Sequence, residues 1–391
     1  MLKKERPIRL CFVMPGTYQL FNSATSTEHG GAELNLYYLS RLFAQDPRYE
    51  VSFIVEDQRQ KHIEYYDNVK VIRLTGLRWG DNKPKKLLKK LWFKTVIEFS
   101  SAYEMVHTRY DIVLVTTASL VLSRMVFWGQ CLGRKQVVFR FANDTDADPH
   151  YFELTEASKL KDKIYWWGVK KSKALVFQTK QQEKLFQSYE NRGGNIIGNG
   201  FIIKEAPPDV VKNKILWVSR SSEVKRPHLF LELARRLPKE QFIMIMPGNN
   251  ELTETVIEQV KELPNVEFHH YVPFEEIHHY FEHAKLFVNT STYEGFPNTF
   301  IQCGMARTPI LSFCINPDNI MNEYKLGLVC NDSIQAAVDF IQNLDASSIQ
   351  KYGQNIRQYT LAEHDIINTF HRYEELFLKL CHKGKYQDVR V

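Results

Sequence analysis

The chain has 391 residues, more than one ordinary domain core accommodates, so we expect two domains. Its 44% hydrophobic and 25% charged residues are typical of a soluble globular protein. The six cysteines are scattered without a CxxC pair, which argues against a disulfide framework or a zinc site and for reduced, mostly buried thiols.

Charge is distributed unevenly along the chain. Lys and Arg outnumber Asp and Glu in residues 1–199 and are outnumbered in the rest, so the first half is expected to face something anionic. The densest basic run extends from Lys83 to Lys94, with Leu and aromatic residues at roughly helical spacing. This pattern is typical of a helix on an anionic membrane surface; a solvated helix face whose apolar residues belong to the core is the alternative.

The N-terminal sequence indicates no signal peptide, and no apolar run is long enough to span a bilayer. We therefore expect a cytoplasmic protein. If the run from Lys83 to Lys94 binds a membrane, the protein is expected to be peripheral on its inner face.

Short apolar runs alternate with helical patterns, which predicts parallel sheets covered by helices. In the first half, a helix is predicted to open at Gly30 and Gly31 and to reach about Ala44. The predicted strands of this half are residues 8–14, 51–55, 69–74, 111–116, 136–141 and 174–178.

The second half repeats this plan. Helices are predicted from Pro227 to Leu237, at residues 251–262 and after Pro297, and Pro227 suits a first helical position. The predicted strands are residues 214–218, 242–246, 266–269, 286–289 and 309–313.

The periodicity breaks at residues 199–213, a segment with glycine and two prolines that predicts a linker. We therefore place one domain at residues 1–200 and a second at 201–365. Residues 366–391 contain a long amphipathic helical pattern, which we expect to pack back toward the first domain. Two such domains would face each other across a cleft, with ligands at the carboxyl ends of the strands.

Two segments contain features suited to a phosphate. Gly30 and Gly31 precede a helix, where backbone amides and the helix dipole favour an anion, although such pairs are usually only turns. Arg220 follows a predicted strand and Lys225 follows it by five residues. The two cations could converge on one diphosphate, or they could be ordinary exposed side chains.

The segment from Asn289 to Ser312 is more informative. A strand ends, a loop contains Glu294, and a helix begins near Pro297. Glu294 should therefore lie beside the free amides of a helix start, and Gln302 one turn into that helix should point the same way. A carboxylate beside phosphate-binding amides is suited to a sugar joined to a phosphate.

These segments resemble the retaining glycosyltransferases of family 4, which have the GT-B fold. The resemblance is carried in order by Gly30-Gly31-Ala32-Glu33, Asn199-Gly200, Trp217-Val-Ser-Arg220 with Lys225-Arg-Pro227, and Glu294-Gly-Phe-Pro through Thr308-Pro309. It implies an α/β protein of two Rossmann-like domains, with the nucleotide-sugar donor held mainly by the second. The implied donor-binding residues are Gly30, Gly31, Gly295, Phe296, Pro297, Asn298 and Gln302.

The implied reaction is transfer of a sugar from a nucleotide-diphosphate donor with retained anomeric configuration. Arg220 and Lys225 would stabilise charge on the leaving diphosphate, and Glu294 would orient the sugar hydroxyls. No metal or other cofactor is expected. The basic first domain suggests a glycan or lipid-linked acceptor and a role in surface polysaccharide biosynthesis.

The sequence departs from the family pattern at two places. The family's second acidic residue, which holds the donor ribose, is Gln302 here, and an amide forms weaker hydrogen bonds with a diol than a carboxylate does. No histidine matches the family's first-domain histidine. Asn143 or Asp144 could take over the sugar contact or bind the acceptor; a capped turn before the helix at Tyr151 is the alternative.

Other functions remain as alternatives. Gln302 is compatible with a weak or inactive nucleotide-sugar-binding relative, and a nucleotide-sugar epimerase would use the same fold and donor. Nucleic-acid binding is not expected, because no recognition motif accompanies the basic first half. His279 and His283 have zinc-ligand spacing, but no third ligand stands out in the sequence.

Overall fold

The computed structural model describes residues 6–22, 31–75, 87–156, 158–204 and 210–387, excepting the side chains of 87–94, 154–156, 274–275 and 382–387. The chain divides into two compact units. Unit 1 comprises Met1–Phe201 together with Ile366–Val391, and unit 2 comprises Ile202–Asp365. The boundary lies one residue from that predicted, after residue 200.

Unit 1 is built on an eight-stranded sheet with the order β3-β4-β2-β1-β5-β6-β7-β8, in which only the β3–β4 pair is antiparallel. Its central strands are largely apolar because the sheet is covered on both faces. They are β1 (Ile8–Val13), β2 (Tyr49–Val55), β3 (Ile63–Tyr66), β4 (Val69–Arg73), β5 (Ile112–Thr116), β6 (Gln136–Arg140), β7 (Ala174–Phe177) and β8 (Asn195–Ile196).

Alternate strand residues contribute to opposite faces of this sheet. Leu10 and Phe12 belong to one core, whereas Cys11 and Val13 belong to the other. The first core includes the helix Gly31–Gln45, and the second includes the helices Leu87–His107, Leu120–Arg124 and Lys159–Lys171. The helices are α1 (Tyr18–Phe21), α2 (Gly31–Gln45), α3 (Leu87–His107), α4 (Leu120–Arg124) continued by π-helical Met125–Leu132, α5 (Tyr151–Glu156), α6 (Lys159–Lys171) and α7 (Lys180–Gln187).

Unit 2 contains a six-stranded parallel sheet with the order β11-β10-β9-β12-β13-β14. Its strands are β9 (Lys214–Val218), β10 (Gln241–Ile245), β11 (Val266–His269), β12 (Ala284–Asn289), β13 (Ile310–Ser312) and β14 (Gly327–Val329). Its helices are α8 (Pro227–Arg236), α9 (Glu251–Val260), α10 (Phe274–His283), α11 (Asn298–Ala306), α12 (Ile320–Glu323), α13 (Ile334–Gln342) and α14 (Ala346–His364).

The strand order of unit 2 is that of a doubly wound sheet, in which connections from adjacent central strands diverge. The switch point lies between β9 and β12, where Phe287 pairs with Leu216. The loops that follow these two strands therefore meet at one edge of the sheet, where such folds bind ligands. They contain Arg220, Lys225 and Glu294.

The last helix, α15 (Ile366–Gln387), returns to unit 1. The ring of Phe370 lies 4.4 Å from that of Phe43 on α2, and Phe377 is buried in the same core. The backbone of Ile366 donates to the Phe201 carbonyl at 3.0 Å. A side chain at Gly200 would meet Thr369 of this helix at 2.6 Å, so glycine permits the close approach of the pre-linker segment.

The apolar periodicity located most elements correctly. The predicted strands at residues 214–218 and 266–269 coincide with β9 and β11, and most other predicted bounds differ by one or two residues. The strands β3, β8 and β14 were not predicted. β3 is a half-exposed edge strand, and β8 and β14 are only two and three residues long, so none provides an apolar run.

None of the helices in the described ranges combines the length and apolar character needed to cross a bilayer.

Candidate active site

The loop after β9 presents the two predicted cations. Arg220 is exposed, and it makes no hydrogen bond or ion pair with the residues the structure describes. A short 3-10 turn, Glu223–Lys225, then brings Lys225 to the start of α8, which begins at Pro227 as the sequence predicts. Arg220 is therefore available to an external anion.

Lys225 and Glu294 contact each other directly. The Lys225 ammonium donates to Glu294 Oε1, and the Ser291 hydroxyl donates to the same oxygen at 2.7 Å. Both charged side chains are mostly buried, with 22% and 18% exposed. The structure thus joins a predicted phosphate-binding cation and a predicted sugar-binding carboxylate into one ion pair.

Thr290 fixes the backbone around this pair. Its hydroxyl accepts a hydrogen bond from the Trp217 indole at 2.8 Å and donates to the Lys225 carbonyl. The backbone N–H of Thr292 donates to the Val224 carbonyl at 2.9 Å. These bonds hold the β9 and β12 loops together, so the ion pair depends on contacts between segments far apart in sequence.

Arg226 is a site residue that the sequence reasoning missed. Its Nε donates to the Thr290 carbonyl at 2.6 Å, and its Nη2 contacts Asp332 Oδ1 at 2.7 Å and Cys314 Sγ at 3.4 Å. One guanidinium therefore links the loops that follow β9, β12, β13 and β14. In the sequence, Arg226 stands between Lys225, a candidate phosphate-binding residue, and Pro227. That position gives no indication of its partners.

The start of α11 lies directly after Glu294. Pro297 is the N-cap residue and supplies no side-chain hydrogen bond, so the first amides of α11 are not capped by its side chain. Gly295, Phe296 and Pro297 are buried, and the Phe296 ring lies 4.4 Å from that of His364. This buried turn fixes the direction in which α11 begins.

Two predicted donor contacts lie on α11 itself. Asn298 is the first helical residue, and Gln302 follows one turn later. Both side chains are partly exposed. Gln302 makes no hydrogen bond within the described part of the chain, so its amide is available to a ligand.

Several predicted features of unit 1 lie wholly or partly outside the residues that the structure describes. Gly30 lies outside the described residues, and Gly31 is the first residue of α2. Lys83 to Lys86 also lie outside, and the structure describes only the backbone of the run from residue 87 to 94, within α3. Their predicted roles remain predictions.

Asn143 and Asp144 belong to a capped turn. Asn143 is the N-cap of the 3-10 helix Asp144–Ala147 and forms a capping box with Asp146. Asp146 Oδ2 accepts the backbone N–H groups of Ala142 at 2.7 Å and Asn143 at 3.1 Å. Burial raises the pKa of Asp146 to about 6. The segment therefore forms the capped turn that was the alternative expectation from the sequence. A contact of Asn143 or Asp144 with the sugar or the acceptor remains a prediction.

The clustered histidines of α10 have other partners. His278 and His279 contact the carboxylate of Glu282 at 2.8 and 3.2 Å, and His283 Nδ1 is bonded to the His279 carbonyl at 2.7 Å. These contacts account for the histidines without a metal role.

Residues 200–359 match the family model described as glycosyl transferases group 1, a segment that covers most of unit 2. No curated protein matches the sequence at a significant level.

Solved structures show the same fold over 72–96% of the chain. Sucrose-phosphate synthase from Thermosynechococcus elongatus superposes with a TM-score of 0.75 at 14% identity, covering 96% of this chain and 100% of that one. HepE of Anabaena, solved with UDP and glucose, gives 0.67 at 14% identity, covering 95% and 100%. TarM of S. aureus, solved with fondaparinux, α-GlcNAc-glycerol and UDP, gives 0.60 at 19% identity, covering 72% and 59%.

Two Rossmann-like units with parallel sheets, similar in structure to these enzymes, define the GT-B fold and confirm the predicted fold class. Beyond the fold, the match of residues 200–359 relates unit 2 to the glycosyl transferases group 1.

Proposed function

We propose that the protein transfers a sugar from a nucleotide-diphosphate donor, with retention of configuration, to a glycan or lipid-linked acceptor in surface polysaccharide biosynthesis. The observation that carries the proposal is the Lys225–Glu294 pair at the β9–β12 switch point, with the exposed Arg220 on the same loop as Lys225. A donor has a phosphate for the cations and sugar hydroxyls for the carboxylate.

The cations act on the leaving group. As the bond between the sugar and the diphosphate breaks, negative charge grows on the phosphate oxygens, and preorganised positive groups stabilise it. We assign this role to Arg220, Lys225 and the first amides of α11, together with the Gly30-Gly31 segment. A bound phosphate competes with Glu294 for Lys225, which frees the carboxylate to accept hydrogen bonds from the sugar. We assign no metal or cofactor.

Retention follows if the acceptor attacks from the side of the leaving group. The bond from the anomeric carbon to the phosphate oxygen breaks, and a bond to the acceptor oxygen forms on the same face. The acceptor proton passes to a phosphate oxygen of the leaving group. No side chain is then required as general base, and Glu294 serves in orientation.

The proposal assigns the acceptor to unit 1. The excess of Lys and Arg in residues 1–199 favours an anionic or membrane-bound acceptor, and the run from Lys83 to Lys94 would attach the protein to the inner membrane face. Asn143 and Asp144 are the assigned acceptor or sugar contacts.

Gln302 supports one competing function. The family pattern has a carboxylate at this position, which forms stronger hydrogen bonds with a ribose diol than the Gln302 amide does. The amide is expected in a relative that binds the donor but transfers the sugar poorly. Titration with a nucleotide sugar, followed by measurement of nucleoside diphosphate release, separates the two functions. Binding without release would establish the inactive relative.

The central prediction concerns Arg220→Ala and Lys225→Ala. Thermal shift with UDP-, GDP- and ADP-sugars first identifies the donor, because a ligand that binds only the folded protein raises the melting temperature. Each variant should then release nucleoside diphosphate at least ~100-fold more slowly, the usual cost of removing one group that stabilises developing charge.

Lys239→Ala is the matched control, since Lys239 is also an exposed cation of unit 2 but precedes β10 at the opposite edge of the sheet. It should retain full turnover. Near-normal turnover in either Arg220→Ala or Lys225→Ala would refute the assigned diphosphate site.

A further inference from the structure

Three neighbouring helices of unit 1 expose large apolar side chains. Phe99, Tyr103 and Val106 lie at i, i+4 and i+7 of α3, with Phe99 73% exposed. This spacing places them on one side of the helix. Met105 of the same helix is buried in the unit 1 core, so α3 has an apolar inner side and an apolar outer side.

The adjoining helices repeat this pattern. Leu160 and Ile164 are exposed on α6, with Leu160 at 69%. Phe127 and Leu132 are exposed on the π-helical continuation of α4. Isolated apolar residues on a surface are common, whereas a cluster of them marks an interaction site.

Side-chain contacts join the three helices next to these positions. Glu98 of α3 accepts hydrogen bonds from Arg124 Nε at 2.6 Å and Trp128 Nε1 at 3.1 Å. The ring of Phe127 lies 6.5 Å from that of Trp167 on α6. Between the helices lies a groove of about 380 Å³, lined mainly by apolar and aromatic side chains. We call this the α3–α4–α6 surface.

The same surface is basic. The exposed cations of α6 are Lys159, Lys163, Lys170 and Lys171. The acidic residue of α6, Asp162, is buried and accepts the backbone N–H groups of Phe152 and Glu153. Lys159 and Lys170 approach Glu153 and Glu190, but Lys163 and Lys171 have no ion-pair partner among the described residues.

We propose that the α3–α4–α6 surface binds an anionic lipid bilayer. Exposed apolar and aromatic side chains would enter the boundary between headgroups and acyl chains, while lysines would contact lipid phosphates. Charge selects this occupant over a second copy of the chain, because a two-fold interface would bring two basic surfaces together. On α3 the surface consists of Phe99, Tyr103 and Val106, which follow the run from Lys83 to Lys94. The proposal therefore differs from attachment through that run, and it does not depend on the proposed reaction.

Co-sedimentation with vesicles tests the proposal. The full chain should bind vesicles of phosphatidylcholine with phosphatidylglycerol at least ~10-fold more strongly than phosphatidylcholine alone at low salt. Leu160→Ser/Ile164→Ser and Lys163→Glu/Lys171→Glu should each weaken binding by about tenfold or more, because both apolar contact and charge contribute. These side chains are exposed, so thermal unfolding should be unchanged.

Matched controls lie on unit 2. Val211→Ser/Tyr271→Ser removes apolar side chains that are also exposed, and Lys239→Glu/Lys351→Glu reverses the charge of two exposed lysines. Both should bind anionic vesicles like the wild type. Unchanged binding by the α6 variants, or equal weakening by the controls, would refute the proposal. The proposal would also fail if Lys85→Glu/Lys86→Glu alone abolished vesicle binding. It would fail as well if the wild-type protein did not bind vesicles and Leu160→Ser/Ile164→Ser converted a dimer into monomers.

Discussion

Arg226 adopts a left-handed backbone conformation, with φ +45° and ψ +56°, immediately after Lys225. This region disfavours side chains other than glycine and typically costs about 1–2 kcal/mol. The hydrogen bonds of Arg226 to Thr290 and Asp332 offset that cost, and they fix the loop that contains Lys225. In the proposed function Arg226 is therefore a positioning residue, because it would act on the donor only through Lys225.

Replacing Arg226 with glycine separates backbone conformation from side-chain contacts. Glycine adopts positive φ without strain and is tolerated as an N-cap, so the free energy of unfolding of Arg226→Gly should stay within about 1 kcal/mol of wild type. The loss of the links between loops should lower turnover by about tenfold or more. Urea unfolding and nucleoside diphosphate release measure the two effects.

Arg226→Lys provides the comparison. It retains the charge and the backbone strain, but an ammonium cannot reproduce the fork that contacts Thr290 and Asp332 together. It should therefore lose both stability and turnover. If Arg226→Gly kept wild-type turnover, Arg226 would have no role in holding Lys225.

The turn from Asn143 to Ala147 is an element whose stability should depend on pH. Asp146 is fully buried, and burial disfavours its charged form, so its pKa rises from 3.8 to about 6. The folded state then binds more protons than the unfolded state between these values. The stability contribution is present below about pH 4 and is lost as pH rises through 6, by about 3 kcal/mol in total.

Asp146→Asn removes this titration while keeping the size of the side chain. Between pH 4 and pH 7, the unfolding free energy of the wild type should fall by about 2 kcal/mol relative to that of the variant. Denaturant unfolding at several pH values measures the difference. Parallel profiles for the two proteins would show that Asp146 titrates alike in the folded and unfolded states.

At the scale of the whole molecule, the chain completes unit 1 only with its last helix. Phe377 is fully buried against Phe43, and the Tyr49 hydroxyl donates to Glu374 at 2.9 Å. Unit 1 is therefore assembled from two segments separated by all of unit 2, and its core depends on α15.

Phe377→Ala should destabilise unit 1 by about 3–5 kcal/mol, as for other large-to-small substitutions of buried aromatic residues. Hydrogen exchange should show lost protection in β1 and β2 but unchanged protection in β9 and β12. Ile367→Ala is the control, because Ile367 belongs to the same helix and is exposed. Equal loss of protection in both units would show that they unfold together, contrary to this prediction.

Local sequence patterns predicted the elements better than their partners. Apolar runs with helical patterns between them located the strands of both sheets, and Pro227 predicted the start of α8. The motif around Glu294 predicted a strand, a loop and a helix start, which the structure confirms at β12 and α11. The proposed roles of Arg220, Lys225, Glu294 and Gln302 remain predictions.

The sequence by itself determined that this protein consists of parallel α/β units with a candidate donor site in the second, because side-chain periodicity and residues at strand ends are local properties. Only the tertiary structure decided that Lys225 contacts Glu294, that Arg226 links four loops, and that α3, α4 and α6 share an exposed apolar surface. These facts depend on strand order and helix packing, which join segments dozens of residues apart. No local pattern encodes which strands become neighbours.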